Sequence, residues 1–135
     1  MNITQYIEQH KNIRNEISIL RELLNKNSMD DAANMALHIN TLAGIIKVHL
    51  QSEDKYLYPT LQQSTDEKIR LLAKAYQDEM GTLAEHYTGF KELYNTKSKI
   101  INNQKNFPRD MEDTLNKIEK RIDKEEIELY RLVRD

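Results

Sequence analysis

Apolar residues recur at every third or fourth position along nearly the whole chain, and only three glycines and two prolines interrupt its 135 residues. A period of 3.6 residues lines apolar side chains along one face of a helix. A chain of this length made of strands would need many more turn signals. The pattern therefore predicts an all-α fold, and four helical segments emerge from it. The first covers about residues 2–26 and aligns Ile3, Tyr6, His10, Ile13, Ile17, Leu20 and Leu24. After a break at Asn27, Ser28 and Asp31, the second continues to about residue 63. It turns Met35, Leu42, Ile46, His49, Glu53, Tyr56 or Leu57, and Leu61 inward. The third, about residues 65–97, carries Ile69, Leu72, Tyr76, Met80, Leu83, Tyr87, Phe90 and Tyr94. Residues 98–106, rich in asparagine, read as the longest loop. Pro108 then suits the first turn of a fourth helix bearing Met111, Leu115, Ile118, Ile122, Glu125, Leu129 and Leu132. Ser28 with Asp31, and Ser64 with Glu67, have the form of capping boxes. Pro59 should kink or loosen the end of the second helix. Short connections favour an antiparallel up-down-up-down four-helix bundle, expected to form a single domain over residues 1–135.

Charge and composition exclude several functions. Twenty basic against 22 acidic residues leave a net charge of −2, which gives no support for a nucleic-acid partner. The absence of cysteine removes disulfides, thiolate zinc sites and cysteine nucleophiles together. No glycine-rich phosphate loop or serine-centred nucleophile is present, so turnover of an organic substrate is not the expectation. Residues 1–10 are polar and no apolar run reaches membrane-spanning length, so a cytoplasmic location without a membrane partner is expected.

The apolar stripes are interrupted by polar side chains at His10, His49, Glu53 and Glu125. His49 and Glu53 stand four apart, one turn along the same helix face. With about 1.5 Å of rise per residue, His10 lies about 12 Å from the end of the bundle holding the termini, His49 about 20 Å, and Glu53 and Glu125 about 15 Å. The four can share one layer. A polar group aimed at an apolar core needs a partner, and two imidazoles with two carboxylates suit iron, manganese or zinc. Simpler readings exist: a core-edge histidine for His10, a solvent-turned carboxylate for Glu53, and a surface charge for Glu125. Arg121, one turn before Glu125, offers a metal-free alternative in which it pairs with Glu53 or Glu125 and neutralises the core. His38 and His86, at about 37 and 32 Å, either form a second polar layer or lie separately on the surface.

Three segments carry a family resemblance. His49-Leu-Gln-Ser-Glu53-Asp54-Lys-Tyr-Leu-Tyr58-Pro59 resembles the second-helix motif of the haemerythrin-like, or HHE cation-binding, proteins. Glu8-Gln-His10-Lys-Asn-Ile-Arg14 is similar to their first-helix motif, and Arg121-Ile-Asp-Lys-Glu125-Glu126-Ile-Glu-Leu129-Tyr130 to the last. The resemblance implies a haemerythrin-like bundle holding non-haem iron, usually two ions, and handling dioxygen, nitric oxide or redox state. His10, His49, Glu53 and Glu125 carry over as ligands. The sequence departs from the family where Arg121 replaces the last-helix histidine, since guanidinium cannot ligate metal. The third helix offers only His86, which lies beyond the layer, so Glu79 is the better match by height. Four or five ligands suit one ion more readily than two, with zinc or manganese as substitutes. The rival from another class is a metal-free bundle that binds a protein partner or forms a homodimer.

Overall fold

A computed structural model of the chain describes residues 1–133, which form an all-α bundle with no strand among them. Its long helices are α1 (Thr4–Asn25), α2 (residues 32–61), α3 (Glu67–Tyr94) and, after the short α4 (Lys97–Asn102), α5 (residues 107–133). Consecutive long helices run antiparallel, giving the expected up-down-up-down arrangement. On α1 the stripe Tyr6, His10, Ile13, Ile17 and Leu20 is buried. Each leucine or isoleucine removed from water in this way contributes about 1.5–3 kcal/mol. Among the described residues, no helix is long and apolar enough to cross a membrane.

The helix ends differ from the capping boxes expected. Ser28 accepts the Asp30 N–H and opens a 3-10 turn at Met29–Asp31, which leads into α2. Ser64 accepts the Asp66 N–H, while Asp66 itself caps α3 by accepting from Lys68 at 2.9 Å. A short carboxylate placed two residues later thus satisfies the first free donors of α3. Asn27, between α1 and the 3-10 turn, has φ of 53°, a left-handed conformation that asparagine tolerates better than most residues. The loop expected at residues 98–106 is mostly helical. Thr96 caps α4 by accepting from Lys99, and Ile100 is wholly buried. Ile100 anchors a turn that asparagine content alone obscures. Only 103–106 form the turn into α5, where Pro108 occupies the first turn.

Two wide π turns shape the half of the bundle that holds the termini. In α2 the turn Glu53–Leu57 lets the Tyr58 N–H reach back to the Glu53 carbonyl. Pro59 follows directly; in a regular helix its ring would collide with the carbonyl of residue 55. The loosening expected from Pro59 is therefore displaced to the turn before it. The extra residue also settles the choice between Tyr56 and Leu57: Leu57 and Tyr58 are buried, while Tyr56 is 57% exposed. A second π turn, Glu125–Tyr130, does the same in α5. It brings Tyr130 inward and leaves Leu132, expected inside, 43% exposed.

The core divides into two apolar clusters. One includes Ile17, Leu20, Met35, Leu42, Phe107 and Leu115. The other, nearer the termini, includes Ile3, Tyr6, Leu57, Leu61, Tyr76 and Leu129. In sequence, His10 falls between Tyr6 and Ile13, His49 and Glu53 between Ile46 and Leu57, and Glu125 between Ile122 and Leu129. The stripe switches from apolar to polar at one level and back again on each of three helices.

Candidate metal centre

The four side chains that interrupt the stripes converge. His10 comes from α1, His49 and Glu53 from α2, and Glu125 from α5, and none has measurable exposure. His10 Nε2 lies 3.1 Å from His49 Nε2 and 3.1 Å from Glu125 Oε1. His49 Nε2 lies 2.9 Å from Glu53 Oε1 and 3.9 Å from Glu125 Oε1. One donor atom each from His10, His49 and Glu125 falls within 4.8 Å of the other two. Two phenols close the cluster. Tyr58 donates to Glu125 and sits 3.4 Å from Glu53 Oε1. The Tyr130 hydroxyl is 2.6 Å from Glu53 Oε2, 3.0 Å from Glu125 Oε1 and 3.3 Å from His10 Nε2. Both tyrosines follow a glutamate by five residues. A regular helix carries such a pair about 140° apart, and the wide turns bring them together.

An outer hydrogen bond fixes which nitrogen of His49 faces inward. Ser52 donates to the Val48 carbonyl, and the Gln9 amide nitrogen donates to Ser52 Oγ at 3.3 Å. That orientation leaves Gln9 Oε1 to accept from His49 Nδ1 at 2.7 Å. With its proton on Nδ1, neutral His49 presents the Nε2 lone pair to the cluster. His10 Nδ1 is 3.6 Å from Glu126 Oε2, which Arg14 holds by a short hydrogen bond. Among the described residues, His10 Nδ1 is the one buried side-chain polar atom without a hydrogen-bond partner.

Without a cation the electrostatics are unfavourable, and protons must substitute. Burial pushes Glu53 up to about 7, and the neighbouring Glu125 charge adds to this. Burial alone would push His49 down, but the Glu125 carboxylate 3.9 Å away and the closer Glu53 carboxylate outweigh it and raise the imidazole to about 9. Burial opposes ionisation of Glu125 too, yet the hydrogen bond from His10 and the nearby His49 imidazole hold it well below the usual carboxylate range. Burial, reinforced by the two carboxylates, pushes the Tyr58 and Tyr130 phenols far up. The Tyr130 hydroxyl has a single proton to share among three close acceptor atoms, and two imidazole nitrogens face each other at hydrogen-bond distance. Contacts between lone pairs outnumber the protons available to fill them, so the residues fit a cation bound by nitrogen and oxygen.

The other sequence candidates lie elsewhere. Glu79 is on the exterior of α3, in a short ion pair with Arg121. The height estimate placed it at the right level, but its side chain points away from the core. Arg121 follows it outward, with its guanidinium 5.9 Å from the centre of the Tyr76 ring, and reaches neither Glu53 nor Glu125. His86 sits near Thr114 at 3.5 Å, and His38 pairs with Glu16 at 2.6 Å, so these two histidines have separate partners. The α3 helix supplies no member of the cluster; Tyr76 ties it to α5 by donating to the Lys124 carbonyl and Glu128. Sequence reasoning missed Gln9, Ser52, Glu126 and the site roles of Tyr58 and Tyr130. The repeated Glu-x4-Tyr spacing, at residues 53–58 and 125–130, was the available signal for the tyrosines.

Residues 1–133 match the family model described as Hemerythrin HHE cation binding domain. No curated protein and no solved structure matches the chain.

Proposed function

This chain belongs to the hemerythrin HHE cation-binding family, and we propose that it binds non-haem iron through His10, His49, Glu53 and Glu125. The observation that carries this reading is the convergence of two inward imidazole nitrogens and two carboxylates, all fully buried. The histidines act as neutral donors, and the carboxylates supply two negative charges that match a divalent cation. Zinc or manganese suits the same donors. Four donor residues serve one ion more readily than two.

Bound iron would supply an open coordination position and one-electron chemistry, which is the basis for a role in sensing dioxygen, nitric oxide or redox state. The protein's own residues set the surroundings. Apolar clusters on either side keep bulk water away, Gln9 orients His49, and the two phenols hold the carboxylates. The rival reading, a metal-free interaction module, needed Arg121 to neutralise the core; Arg121 is committed to Glu79 instead. Metal analysis of protein purified without chelator tests the reading, with His49→Ala beside it. We expect near-stoichiometric iron in the unaltered protein, and loss of metal together with lower thermal stability in the variant. Less than a tenth of an equivalent of any transition metal, or full metal in His49→Ala, contradicts it.

A further inference from the structure

The Tyr130 hydroxyl is placed as a donor atom rather than as an outer support. His10 Nε2, Glu125 Oε1 and Tyr130 Oη form a triangle with sides of 3.1, 3.0 and 3.3 Å. Donor bonds of about 2.1 Å to a first-row cation put neighbouring octahedral donors about 3.0 Å apart. The triangle therefore has the dimensions of one face of such a coordination shell. Tyr58 differs: its hydroxyl touches carboxylate oxygens alone and meets no imidazole nitrogen. Both rings are fully buried, and both hydroxyls are brought to the cluster by π turns that begin at Glu53 and Glu125.

We infer that Tyr130 is a fifth ligand residue, binding ferric iron through its phenolate oxygen, while Tyr58 stays protonated and positions the carboxylates. The inference rests on the iron-binding reading above and adds to it a ligand that neither the sequence motif nor the height argument supplied. Charge supports it. Two carboxylates balance a ferrous ion but leave one positive charge uncompensated beside a ferric one, and buried charge without compensation is costly. When ferrous iron loses an electron to an added oxidant, the O–H bond of Tyr130 breaks and an iron–oxygen bond forms. The proton leaves to solvent, and the three negative groups match the ferric charge.

The test uses protein loaded with ferrous iron under anaerobic conditions and then oxidised with ferricyanide. The unaltered protein should develop a visible phenolate-to-iron charge-transfer band, with phenolate vibrations enhanced in resonance Raman spectra. Compared per bound iron, Tyr130→Phe should lose both signals, whereas Tyr58→Phe should show both even where it holds less iron. If Tyr130→Phe does not fold, Tyr58→Phe with ring-deuterated tyrosine shows by a shift in those vibrations that the ligand is another tyrosine, and among the described residues Tyr130 is the remaining one whose hydroxyl contacts the cluster. The inference is overturned by iron-loaded, oxidised protein without the band, by a band that persists in Tyr130→Phe at equal iron content, or by its loss in Tyr58→Phe alone. Failure of the unaltered protein to take up iron would overturn it together with the broader reading, and metal content separates that outcome from the spectroscopic ones.

Discussion

Metal affinity should depend on pH far more steeply than an ordinary histidine and glutamate would allow. The perturbation is a change from pH 6 to pH 8. In the metal-free protein His49 holds a proton up to about 9 and Glu53 up to about 7. A cation must displace both. At pH 7 His49 is almost wholly protonated and Glu53 about half, so binding releases about 1.5 protons. Apparent affinity then rises with pH, because fewer protons remain to be displaced. Summed over the two groups, the increase from pH 6 to pH 8 is about a thousandfold, or about 4 kcal/mol. The same groups at their ordinary values, 6.5 and 4.5, would give only about fourfold. Glu125, held well below the usual range, adds nothing in this window. Competition against a chelator of known affinity, with zinc, which has no redox chemistry, as probe, measures the slope. Calorimetry in two buffers of different ionisation enthalpy counts the protons. A rise below about tenfold, with less than about half a proton released at pH 7, would mean that His49 and Glu53 do not hold protons the cation must displace.

Gln9→Ala should weaken metal binding by about 10- to 100-fold in an equilibrium titration, because His49 loses the acceptor that fixes its tautomer. Arg121→Ala should leave metal content unchanged and cost under about 1 kcal/mol in denaturant unfolding, since its ion pair with Glu79 lies at the surface. Phe107→Ala should cost about 3–5 kcal/mol in the same assay, because the ring is fully buried against Tyr94 with centroids 4.9 Å apart.

The fold was legible because helix formation here follows a repeating apolar stripe, which sequence displays directly. The level match of His10, His49, Glu53 and Glu125 was legible for the same reason: rise per residue is nearly constant along straight helices. Rise per residue does not fix direction around the helix axis, and Glu79, which matches in height, points outward to Arg121. The apolar stripe also assumes an unbroken 3.6-residue period. The π turns at Glu53–Leu57 and Glu125–Tyr130 break that period, so Tyr130 enters the site and Leu132 leaves the core. Gln9 was invisible to stripe reasoning because its contribution is a single hydrogen bond to a residue forty positions away. Helix α4 was hidden by its polar composition, and only the isoleucines at 100 and 101 hinted at a packed turn.

Anomalous diffraction from crystals of the iron-loaded protein would test the proposed assignment most directly. A peak at the iron edge is expected within bonding distance of Nε2 of both His10 and His49 and of the Glu53 and Glu125 carboxylates. A peak only at the surface, or full iron occupancy with either imidazole turned away from it, would contradict the account.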